Sequence, residues 1–144
     1  MNLHPRKRDL DRSGRGDILR RTAAFLAGRH PEIQAAYVFG SFARAEAFGD
    51  LDVALLMATP PAAPLEFELK LEGELEKRVR VPVDVRILNH APPSFQYTVF
   101  REGMLILDGD PNKRAAFEGN VIKQYLDFAR FRRRCLKEIV RAEI

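Results

Sequence analysis

Residues Tyr37 to Met57, "YVFGSFARAEAFGDLDVALLM", set two apolar runs on either side of a Gly-Ser turn and a pair of aspartates. An apolar run, Ala35–Phe39, reads as a short buried strand stopped by Gly40. "SFARAEA" has helix-forming composition over about two turns, and Gly49 is placed to end it. "DLDVALLM" then reads as a second strand, opened by Asp50 and Asp52. Side chains at i and i+2 of a strand share a face, so the two carboxylates are expected to project together, with Leu51 and Val53 pointing away. Two such charges repel unless a cation lies between them. Mg²⁺ suits that place, because it prefers carboxylate oxygens and completes its shell with water and substrate phosphates.

Working outward, the next apolar alternation is "VPVDVRIL", Val81–Leu88, which reads as a third strand with Pro82 marking an edge or an entry. Asp84 interrupts it and is the candidate third carboxylate, of the kind that helps hold a second ion for in-line phosphoryl-type displacement. The plainer reading of Asp84 is a structural pair with Arg86, its neighbour on the same face. Gly40-Ser41 supplies the complementary half. A glycine at a strand end lets backbone approach a ligand, and the following helix offers free amides to an anion. Ser41 adds a hydroxyl, and Arg44 lies about one turn further on. Phosphate-binding turn, paired aspartates and third acid together describe a nucleoside-triphosphate site.

The remaining elements place these strands in a layered domain. A helix capped by Asp17 is expected to end near Gly28, a second to span Leu65–Val79, and a third to follow "APP" and stop before Gly103. "MLIL" gives a fourth strand, and one long helix is expected from Pro111 onward with an apolar seam of Phe117, Val121, Tyr125, Phe128, Cys135 and Ile139. The fold class is α+β of an α/β-like kind: a small mixed sheet flanked by helices. The expected divisions are a basic arm over 1–16, the domain proper over 17–110 and the C-terminal helix over 111–144, which packs or binds a partner.

At 144 residues the chain suffices for one core, and 24 basic against 20 acidic residues leave a net charge of +4. The excess gathers in "HPRKRDLDRSGRG" and "ARFRRRCLKEIVR", runs that are ordinarily solvated surface or a seat for an anionic partner. No aromatic platform or reading motif for nucleic acid accompanies them. The single cysteine, Cys135, excludes an internal disulfide framework and reads as a buried thiol on the helix seam. The three histidines show no zinc spacing, and His90 reads as loop. With no bilayer-spanning stretch and no signal-peptide pattern, a cytoplasmic location is expected.

"FGSFARAEAFGDLDVALL" resembles the signature of the nucleotidyltransferase superfamily, which includes DNA polymerase beta and the kanamycin nucleotidyltransferases. The size and long C-terminal helix are similar to the minimal nucleotidyltransferases, or MNT domains, antitoxin partners of HEPN-domain toxins. The resemblance covers about Ala35–Leu107. It implies phosphate binding by Gly40 and Ser41, with Arg44 a further nucleotide-binding candidate by its spacing alone, Mg²⁺ binding by Asp50, Asp52 and Asp84, and activation of an acceptor hydroxyl by Asp84. The implied reaction transfers a nucleoside monophosphate, AMP from ATP in the toxin-modifying members, some of which modify a tyrosine of the toxin. The implied protein partner is a HEPN toxin, with a homodimer also open. An alternative is an MNT-fold protein that neutralises its partner by binding alone. Ala45 stands where the pattern commonly has Gly, Gly49 where it has Ser, and the connection from Ser41 to Asp50 is short for it.

Overall fold

A computed structural model describes residues 8–142. The first helix, α1 (Arg12–Arg29), starts earlier than expected: its cap is Asp11, whose carboxylate accepts from the Gly14 amide at 2.7 Å. Asp17 instead lies inside the helix and pairs with Arg21 at 3.0 Å. Two glycines in the first turns disguise this start. Residues 12–16 of the expected basic arm are therefore helical, while residues 1–7 lie outside the described part.

The chain continues through β1 (Ile33–Phe39), a single turn α2 (Gly40–Ala43), β2 (Leu51–Met57), α3 (Pro64–Val79) and β3 (Val83–Ile87). It closes with α4 (Pro93–Glu102), β4 (Met104–Asp108) and α5 (Pro111–Ala142). The four strands form one mixed sheet in the order β3-β2-β1-β4. β1 runs antiparallel to β2 and β4, and β2 runs parallel to β3, with α3 as the crossover. One face packs Val38, Val53, Leu55 and Val85 against α1 and α3, through Ile18, Leu26, Leu71 and Leu75. The other packs Tyr37, Ala54 and Leu56 beneath Val99 of α4, with Phe117 of α5 alongside. Among the described residues, no helix is long and apolar enough to cross a membrane.

β3 is an edge strand, as Pro82 suggested, and its free amides are covered in an ordered way. Val83, Val85 and Ile87 donate to Glu76, Glu72 and Glu68 of α3 at 3.0, 2.9 and 3.3 Å. Carboxylates one helical turn apart meet every second residue of the strand because the two repeats, about 6 and 7 Å, nearly match. An edge with its donors occupied cannot recruit another strand.

α5 is fastened to the sheet by a polar chain. The buried Tyr37 hydroxyl donates to Glu118, Glu118 accepts from Arg114 at 3.2 Å, and Arg114 reaches Asp108 at 2.8 Å. Burial and then the Glu118 contact push the Tyr37 phenol up from its ordinary value, holding it as a donor. Only the first half of α5 is packed in this way. Cys135, expected to be buried, is partly exposed on the second half. Replacing Tyr37 with Phe removes one charge-assisted hydrogen bond, and urea unfolding should show a loss of about 1–2 kcal/mol.

Candidate functional site

Three strands present one residue each at the same end of the sheet. Phe39, the last residue of β1, is the register partner of Asp52, and Asp52 is the register partner of Asp84. The row places the Gly40 turn beside Asp52 and Asp52 beside Asp84. Gly40 has φ 75°, a left-handed conformation, and a Cβ there would run into the Asp52 carboxylate. Both features favour glycine. The closeness of Gly40 to Asp52 is thus a consequence of strand pairing, whatever the length of the intervening loop.

That loop is tighter than expected. α2 is one turn, not two, and Ser41 sits within it partly buried. The chain reverses through Ala45, which adopts φ 59°, a conformation that costs a residue with a Cβ about 1–2 kcal/mol. A glycine there would carry no such cost. Arg15 braces the turn from α1: its guanidinium donates to Phe42 O at 3.1 Å and Glu46 O at 2.6 Å, and lies 5.1 and 5.4 Å from the Phe42 and Phe48 ring centres. Arg8 adds backbone bonds to Phe48 at 2.8 and 2.9 Å. Both arginines fall within the stretch expected to be a basic arm. Their partners lie far along the chain, so no local pattern marks them.

Asp50 precedes β2 by one residue and is therefore outside the strand, unlike the expectation that strand geometry aligns it with Asp52. Its charge is nevertheless felt. Burial, then Asp84, then Asp50 push the Asp52 carboxyl up to about 6, against the opposing pull of Arg86 and Arg44. Arg44 is exposed and shares Glu46 at 3.3 Å. Arg86 makes no ion pair with Asp84 among the described residues, so the plainer structural pairing is absent; its guanidinium lies over Phe95 at 5.6 Å.

The donor set is hard oxygen, suited to Mg²⁺, and the unrelieved repulsion at Asp52 is what a divalent cation would remove. No closed group of three metal-ligating side chains is formed among the described residues. That is compatible with an ion that takes one or two carboxylates and draws its other ligands from substrate and water. Beyond Asp84 a cleft of about 490 Å³ follows the β3 edge, lined by Leu65, Glu72, Arg86, His90 and Phe95 among others. Its place is on the opposite side of Asp52 from Gly40. Asp84 also touches α3: burial pushes Glu72 up, the Val85 amide opposes this, and Asp84 adds to the rise. His90, read as loop, is exposed in a turn at this cleft.

Two measurements check this geometry. A carboxyl raised from 3.8 to about 6 binds its proton more tightly in the folded chain. It favours folding at low pH, and that advantage is lost as pH rises through about 6. Two units are at most about 3 kcal/mol, and partial exposure reduces this. Without divalent cations, Asp52→Asn should therefore be more stable than the parent by about 1–2 kcal/mol at pH 7.5, the gain vanishing near pH 4. Ala45→Gly should raise stability by about 0.5–1 kcal/mol in the same unfolding assay, strain relief outweighing the added freedom of the unfolded chain.

Comparison with known proteins agrees with this architecture. One chain of the tri-AMPylated Shewanella oneidensis HEPN toxin in complex with MNT antitoxin superposes with a TM-score of 0.68 at 19% identity, covering 88% of this chain and 98% of that one. A toxin–antitoxin structure with AMP-PNP gives 0.70 at 19% identity, covering 85% and 98%. The toxin–antitoxin MntA-HepT gives 0.64 at 18% identity, covering 90% and 99%. These likenesses show a shared fold. No curated protein matches the sequence. Residues 23–112 match the family described as Polymerase beta, Nucleotidyltransferase, which takes in both strands of the Gly40–Asp52 turn and the Asp84 strand. The chain belongs to the Polymerase beta nucleotidyltransferase family.

Proposed function

We propose that the protein is a Mg²⁺-dependent adenylyltransferase that transfers AMP from ATP to a hydroxyl, such as a tyrosine's, of a HEPN-domain partner and so acts as its antitoxin. The observation that carries this reading is the row Gly40, Asp52, Asp84 across three paired strands. Family membership supports the reaction class. The AMP-PNP complex and the tri-AMPylated toxin among the structural neighbours support the nucleotide and the kind of acceptor.

In this reading the Gly40 turn, the Ser41 hydroxyl and Arg44 hold the triphosphate. Asp50, Asp52 and Asp84 hold Mg²⁺, which when bound offsets the negative charge shared by carboxylates and phosphates. Displacement at phosphorus is in line, so the acceptor enters opposite the departing pyrophosphate. With the phosphates at the β1 side, that entry is the cleft outside β3. Asp84 lies at its inner end and takes the proton of the acceptor hydroxyl as that oxygen bonds to the α-phosphorus. The bond from phosphorus to the bridging oxygen breaks, and pyrophosphate leaves. A second reading, neutralisation by binding alone, draws on the apolar side chains left exposed along α5.

Label from α-labelled ATP should reach the co-purified partner in the presence of Mg²⁺ and not in EDTA. Asp84→Asn should slow the transfer roughly 10²–10⁴-fold, the range lost with a general base. Neutralisation of the partner with no label transferred by the wild type would refute the catalytic reading and leave binding alone.

A further inference from the structure

The apolar seam of α5 does not end where the domain ends. In the first half it is covered: Phe117 packs edge-on to Phe100, Val121 is 3% exposed, and Tyr125 stacks on Tyr97 with ring centres 4.0 Å apart. The same helical face continues in phase to Phe128, Cys135 and Ile139, with Phe131 and Leu136 beside it. Here Phe128, Phe131 and Ile139 are 61%, 58% and 56% exposed. From Leu126 to Ala142 the helix extends about 25 Å without cover. Contiguous apolar surface of this kind marks an interface.

Charge indicates the kind of partner. Residues 126–142 carry six basic side chains against two acidic ones, a net of +4 equal to that of the whole chain. Where α5 leaves the body, the N-terminus of α4 and α5 form an apolar notch of about 320 Å³, with Tyr125 and Phe128 among its walls. Arg132 and Arg133 border the adjoining crevice. Among the described residues neither has a carboxylate within ion-pair distance. A second copy of the chain would bring another +4 segment to the same place, which like-charge repulsion disfavours.

We infer that the uncovered half of α5, with its notch, is the docking surface for an amphipathic helix of a partner protein that inserts an apolar side chain beside Tyr125 and Phe128 and sets acidic residues against Arg132 and Arg133. The inference rests on the antitoxin reading only for the partner's biological role; the surface itself uses no nucleotide.

The test uses the full chain and two fluorescein-labelled amphipathic helical peptides with the same leucine stripe, one flanked by glutamates and one by lysines. Fluorescence anisotropy should show the glutamate peptide binding at least tenfold more tightly than the lysine peptide. Phe128→Asp and the double change Arg132→Glu, Arg133→Glu should each weaken it at least tenfold. Ile139→Asp, beyond every packed residue, should weaken it while leaving thermal unfolding unchanged. Equal binding of both peptides, or none of either, overturns the inference. So does a dimer in sedimentation that Phe128→Asp dissolves, since a second copy would then be the occupant. Absence of AMP transfer by the wild type, with glutamate-peptide binding intact, counts against the catalytic reading and leaves this surface supported.

Discussion

The pairing of Phe39, Asp52 and Asp84 across three adjacent strands is the constraint on which the rest of the molecule depends. Neighbouring strands lie about 4.8 Å apart, so register alone brings a glycine turn and two carboxylates into one row. The arrangement is electrostatically costly for the carboxylates themselves. Asp52 is raised to about 6 because burial and two like charges oppose its ionised form. Such repulsion is what a divalent cation would offset, and the cation would in turn draw in a polyphosphate.

Much of the surrounding structure holds that row in place. The glutamates of α3 occupy the free edge of β3 and so keep Asp84 at the rim of a cleft instead of at a strand-pairing surface. Arg15 ties the turn after α2 to the first helix through two carbonyl groups and two aromatic rings. That bracing supports a short connection containing Ala45 in a left-handed conformation. The connection's shortness therefore leaves Gly40 and Asp52 in contact, since strand pairing and not loop length sets their separation.

The elements themselves were legible in the sequence wherever apolar period and punctuation agreed. Four strands, the α3 crossover, the long last helix and the mixed sheet follow from Gly, Pro and hydrophobic spacing. Asp84 stood out because an acid in a valine-rich alternation needs a reason. What escaped was tertiary. Arg15 looks like any residue of a basic run, and its partners are carbonyl groups 27 and 31 residues away. Glu68, Glu72 and Glu76 look like an ordinary solvated helix face until β3 is laid beside them. Two glycines hide the start of α1, and Asp50 stands one residue ahead of the strand to which its alternation with Asp52 points. Arg86, the plainer partner for Asp84 by strand alternation, turns instead to Phe95.

We propose that a nucleoside triphosphate and its divalent ion bind at the Gly40–Asp52–Asp84 row. The most direct test is the anomalous signal of Mn²⁺ in crystals grown with a non-hydrolysable ATP analogue. A manganese peak coordinated by Asp52 together with Asp50 or Asp84, with phosphate density against the Gly40–Ser41 amides, is the predicted result. Phosphates bound elsewhere on the molecule, or a peak remote from all three aspartates, would contradict it.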